Sequence, residues 1–181
     1  MIHFGEQGRV NNPEKSEKQK RWEAIQAEVE AITDRLGLGI DKGIKESVIA
    51  LKAFDFPTSQ SCEGHLEGEH GLAYPWVEIY TPEPNGWEEN EEKQREWKFA
   101  NLREQQKMLG LLEEFYQNRT AHMDTRIVFN RIGAFGGFRI QSMGAETMEL
   151  LTPERQAEKT EAYKKEIEDF ASFLKNKFFG A

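Results

Sequence analysis

Apolar residues recur along the chain with two periods, and the switches between them divide it into elements. From Ser16 onward, Trp22, Ile25, Val29, Ile32 and Leu36 follow at steps of three and four, which places them on one stripe of a helix ending at Gly37. A second helix follows, with Asp41 as its cap and Ile44, Val48 and Leu51 on its buried face. It stops before Pro57, because proline disfavours helix in the residue before it. The period then drops to two. A short strand is expected over about 59–62 and a stronger one over 76–81, with Val77 and Ile79 on one face and Trp76, Glu78 and Tyr80 on the other. The longest helical pattern runs over about 89–117, where Phe99, Leu102, Leu109, Leu112 and Tyr116 share a face, widened by Met108, Leu111 and Phe115 and interrupted by Gln105 and Gln106. Two further strand-like runs, 126–132 and 138–143, are joined by the glycine-rich link Gly-Ala-Phe-Gly-Gly, the kind that closes a hairpin. Thr152 and Pro153 open a last helix, whose stripe is Tyr163, Ile167, Phe170, Leu174 and Phe178 and which Gly180 ends.

This order predicts an α+β fold: a mostly antiparallel sheet of two hairpins, covered by about four helices. Residues 1–15, polar and carrying Gly, Asn-Asn and Pro, read as a mobile arm, and 16–181 as a single α+β domain. A chain of 181 residues buries about 70% of its unfolded surface and so builds its own core. With 38% hydrophobic and 31% charged residues, it reads as globular with a large polar surface.

Charge and cysteine usage narrow the function classes. The net charge of −8 disfavours a broad nucleic-acid surface, since such affinity comes largely from cations displacing counterions, although a local basic groove around Arg126, Arg131 and Arg139 is compatible with that balance. A lone cysteine makes no internal disulfide, the first twenty residues lack the apolar core of a signal peptide, and no run is long enough to span a bilayer. The expectation is a cytoplasmic protein with no membrane partner.

Residues 58–71 hold the densest chemistry, Thr-Ser-Gln-Ser-Cys-Glu-Gly-His-Leu-Glu-Gly-Glu-His-Gly, with the only cysteine and two of the four histidines. Cys62, His65 and His70 have the spacing C-x2-H-x4-H. Thiolate and imidazole both suit zinc, and three protein ligands plus water describe a catalytic metal position, so zinc is the cofactor this set would take. A second reading makes Cys62 a nucleophile and His65 its base, folded back across Gly64, with the neighbouring Glu63 opposing the thiolate. In a third, Cys62 is a small buried residue in a strand and the glycines, glutamates and histidines form a solvated hairpin tip. Ser61 and Arg139 are the candidate ligand-binding residues, Arg139 because a strand arginine can orient an acidic group. The glycine-rich link at 133–137 could offer backbone N–H groups to an anion, but it joins two strands and lacks the following helix of a phosphate loop.

The segment 43–65 resembles a group of small bacterial and phage-borne proteins in which a helix leads into a threonine, a Ser-Cys pair and Gly-His; the matching positions are Leu51, Phe56, Thr58, Ser61, Cys62, Gly64 and His65. The likeness covers about a quarter of the chain and implies a site at this unit without implying its reaction. Ser61, Cys62 and Gly64 are more distantly similar to the motif of the wybutosine-pathway tRNA methyltransferase family. That family has serine where this chain has Glu63 and arginine where it has His65, an exchange of charge that argues against methyl-donor or tRNA binding. The reading is a small-ligand or metal pocket around Ser61, Cys62 and His65, supporting a thiol- or metal-assisted hydrolytic or transfer reaction. The competing reading is a non-catalytic module that holds a protein partner, such as a phage or host accessory factor.

Overall fold

A computed structural model describes residues 16–66 and 71–180. The expected N-terminal arm at 1–15 and the ligand candidate His70 lie outside them. Four α-helices, one 3-10 segment and a four-stranded antiparallel sheet follow in the order α1 (Glu17–Ala31), α2 (Lys42–Ala53), β1 (Thr58–Cys62), β2 (Trp76–Ile79), α3 (Glu91–Tyr116), β3 (Ile127–Ile132), β4 (Gly137–Ser142), the 3-10 segment Met143–Leu150 and α4 (Pro153–Phe179). The sheet order is β1-β2-β4-β3, so the two hairpins join through β2 and β4, and β1 and β3 are the edges. The class is α+β, as the periodicity predicts.

Cross-strand register explains the core. Val77 faces Ile140 and Ile79 faces Phe138 across the central pair, and all four are buried beneath the helices. Burying a side chain of this size contributes about 1.5–3 kcal/mol. Met108 and Leu112 of α3, Ile44 and Val48 of α2, and Ile167 and Phe170 of α4 complete the same cluster. At its far end, Trp22 of α1 packs against Phe178 and Phe179 of α4, with ring centroids 5.6 and 5.4 Å away. On the opposite sheet face Trp76 and Glu78 of β2 are buried as well, the Glu78 carboxylate because its neighbours satisfy it. Glu78 accepts from Ser59 Oγ at 2.9 Å and from Arg139 Nε and Nη2 at 3.2 Å, and the Arg139 guanidinium lies 4.0 Å from the centroid of the Trp76 ring.

Two helix readings are corrected. α1 ends at Ala31, and Leu36 is exposed, because the Asp34 carboxylate accepts from the amides of Leu36 and Leu38 at 2.8 Å and stabilises a turn in competition with helix. On α3 the buried face is Trp97, Asn101, Gln105, Met108, Leu112 and Phe115, whereas Phe99, Leu102 and Leu109 face outward. Two polar residues are buried there because they bind the second hairpin. Asn101 accepts from Thr81 N–H (2.9 Å) and donates to the Phe135 carbonyl (2.9 Å), while Gln105 donates to the Gly136 carbonyl (2.7 Å).

Candidate functional site

Cys62 ends edge strand β1, where the chain leaves the sheet through Glu63, Gly64 and His65. Gly64 turns it with φ +88°, a conformation that side chains disfavour, and a Cβ there would stand 2.8 Å from the Tyr74 carbonyl carbon. That close crossing brings the returning chain over the strand end, where His65 N–H donates to the Leu72 carbonyl at 2.8 Å. Gly71, at φ +92°, closes the site from above, since a Cβ on it would meet Cys62 Sγ at 3.0 Å and His65 Cδ2 at 3.1 Å. Thiol and imidazole thus share one small space.

A third group enters from the start of α2. Asp41 occupies the N-cap position but makes no side-chain cap; its Oδ2 instead accepts from Glu63 N–H at 3.2 Å and lies 3.2 Å from His65 Nε2. Glu63 reciprocates by accepting from Gly43 N–H at 2.6 Å, which ties the first turn of α2 to the strand end. Ligand atoms of Asp41, Cys62 and His65 all lie within 4.8 Å of one another. Cys62 is buried, and Gly64 N–H donates to its sulfur at 3.4 Å.

These groups open into a cavity of about 460 Å³ between β1 and the α1–α2 connection. All five residues of β1 border it, Ser61 among them, and so does Trp76, whose buried indole N–H has no acceptor among the described residues. The lining carries two carboxylates, Asp34 and Asp41, and neither lysine nor arginine. Such a hollow favours a cation.

Of the residues expected at the site, Ser61, Cys62 and His65 border this one cavity, while Arg139 stands outside its lining, stacked on Trp76 and paired with Glu78. Asp41 is the member of this cluster that sequence reasoning missed. It lies twenty-one positions before the cysteine and has the ordinary signature of a helix cap; no local pattern marks it as a ligand. Near the crossing, burial pushes the Tyr74 phenol above its ordinary value while Arg139 opposes the shift. No family model, curated protein or solved structure matches the chain. Among the described residues no helix is long and apolar enough to cross a membrane.

Proposed function

We propose that the protein binds a divalent metal ion of the zinc class through Cys62 Sγ, the His65 imidazole and the Asp41 carboxylate, and that the adjoining cavity holds a small substrate for hydrolysis or group transfer. The observation that carries this is the convergence of three ligand types from two separated parts of the chain, with donor atoms within 4.8 Å of one another. Zinc ligands at about 2.0–2.3 Å in a tetrahedral arrangement stand about 3.5 Å apart, so the side chains need only small rotations to close on an ion. The donor set is thiolate, imidazole and carboxylate, all of which zinc accepts. With three protein ligands, a zinc ion keeps a fourth position and brings a bound water to a pKa of about 7. The Gly64 amide holds the sulfur in place, and Ser61 offers a hydroxyl to the substrate.

One contact supports a metal-free alternative. The Asp41 carboxylate orients the His65 ring, which is the arrangement by which an acid positions a base; Cys62 is then the nucleophile and His65 takes the thiol proton.

Metal analysis separates the two. Untagged protein is expected to retain close to one equivalent of zinc. Its cobalt-substituted form is expected to show a sulfur-to-cobalt charge-transfer band that Cys62→Ser abolishes, with Asp41→Asn lowering affinity by at least about 100-fold, the upper end of what loss of a merely orienting partner costs. Protein that takes up neither ion, while Cys62 is alkylated by iodoacetamide with a rate that Asp41→Asn slows, supports the thiol reading. Loss of both properties sinks both readings and leaves the protein-binding module.

A further inference from the structure

The edge opposite the cavity carries a second feature. Arg95 and Lys98 of α3 and Arg131 of β3 border a depression of about 480 Å³, floored by Phe99 and Leu102 and walled by the turn residues Gly133, Ala134 and Gly136. All three cations are exposed. Many other cations of this acidic protein are paired, among them Lys45 with Glu30, Lys52 with Glu28, Arg119 with Glu166 and Lys177 with Glu114. Arg95, Lys98 and Arg131 have no carboxylate within ion-pair distance among the described residues. In a chain with 32 acidic side chains against 24 basic ones, three cations without a carboxylate partner gather around this hollow, Lys98 with its Nζ also 5.5 Å from the centroid of the Phe135 ring.

The floor is apolar as well as cationic at its rim. Phe99 is 59% exposed, on a helix whose opposite face is buried. The turn that forms the wall is held rigid, because Asn101 and Gln105 bind the carbonyls of Phe135 and Gly136 from beneath.

We infer that this depression binds a small organic anion, with a phosphate, sulfonate or carboxylate group held by Arg95, Lys98 and Arg131 and an apolar ring or chain laid on Phe99 and Leu102. Charge complementarity selects the anion, since the arginine guanidinium pairs two donors with two oxygens of such a group. Size selects a small molecule: the volume lies in the range of ligand pockets, about 300–1,000 Å³, while two apolar side chains fall short of the roughly 800 Å² per partner of a stable protein interface. The site is independent of the metal reading, as it shares no residue with the Cys62 cavity.

The test uses 8-anilinonaphthalene-1-sulfonate as the anionic probe and N-phenyl-1-naphthylamine, the same rings without charge, as its control, in fluorescence titrations of the full chain. The sulfonate dye is expected to bind at one equivalent, to be displaced by pyrophosphate, and to bind at least tenfold more weakly to the Arg95→Glu/Arg131→Glu double variant, while the neutral dye binds both proteins alike. Phe99→Ala is expected to weaken both dyes. Because the substituted residues are exposed, unchanged circular dichroism and melting temperature confirm that the fold is intact. Sulfonate binding that is indifferent to charge reversal, or absent, overturns the proposal. So does a dimer in sedimentation that Phe99→Glu separates, because the face then belongs to a second copy of the chain.

Discussion

The two hairpins of one sheet are built on opposite principles. β3 and β4 pair through six residues and turn within four, and α3 fixes the turn by binding its carbonyls through Asn101 and Gln105. β1 and β2 pair over fewer positions, with a bulge at Ser59, and the close crossing of Gly64 and Tyr74 after the strand end sets the His65 imidazole beside the thiol of the strand residue Cys62. The second hairpin is held by hydrogen bonds to a helix; the first is held by a tight glycine crossing and by the exchange of bonds between Asp41, Glu63 and the start of α2. The helix-held turn thus stands at one edge of the sheet, and at the other the strand residue Cys62 meets His65 and Asp41.

Substitutions at the two hairpins test that division. The largest effect is expected from Gly64→Ala, because its Cβ would press on the backbone of Tyr74 and Pro75 at 2.8 and 3.0 Å and force a positive φ on alanine. A loss of about 3 kcal/mol in urea unfolding is expected, together with loss of the proposed zinc uptake. If Gly64→Ala is as stable as the parent chain, the crossing does not hold the first hairpin.

Asn101→Ala strikes the second hairpin. It strands Thr81 N–H and the Phe135 carbonyl and should cost about 2 kcal/mol, a fall of about 4–8 °C in melting temperature for a chain of this length, with zinc content unchanged. Loss of metal in this variant would show that the two edges are coupled.

The smallest effect concerns pH. Burial raises the Asp124 carboxyl pKa, but hydrogen bonds from Lys159 and His122 outweigh it and hold the group below its ordinary value. The backbone carbonyl of the same residue accepts from Gly144 N–H where β4 ends. A carboxylate with a depressed folded pKa stabilises fully above its unfolded value, and the contribution is lost as pH falls through the folded value. Lys159→Met is therefore expected to flatten the decline of stability below about pH 4, read from urea midpoints at pH 7 and pH 3; an equally steep decline refutes the assignment.

Legibility followed the range of the interactions. The stripe of α4, with Tyr163, Ile167, Phe170 and Leu174 all buried, was readable because helix periodicity records which face meets a core. The stripe of α3 misled: Phe99, Leu102 and Leu109 have the apolar character of a core face, yet Asn101 and Gln105 are inside, since the hairpin turn packed there needed donors for its carbonyls and the Thr81 N–H needed an acceptor. The 3-10 segment Met143–Leu150 left no periodic signal, being too irregular for either template. At the site, Cys62 and His65 stood out because they are rare and close in sequence, and Ser61 joined them as a strand neighbour.

By itself the sequence determined the number and type of the main elements, the two hairpins, and the Cys-x-x-His unit, because each depends on residues a few positions apart whose spacing sets their geometry. Tertiary structure alone decided the order β1-β2-β4-β3, the diversion of the Asp41 side chain from helix cap to partner of His65, and the meeting of Arg95, Lys98 and Arg131 around one hollow. Those outcomes depend on which surfaces close on one another when the core forms, and contact between residues distant along a chain leaves no periodic mark in it.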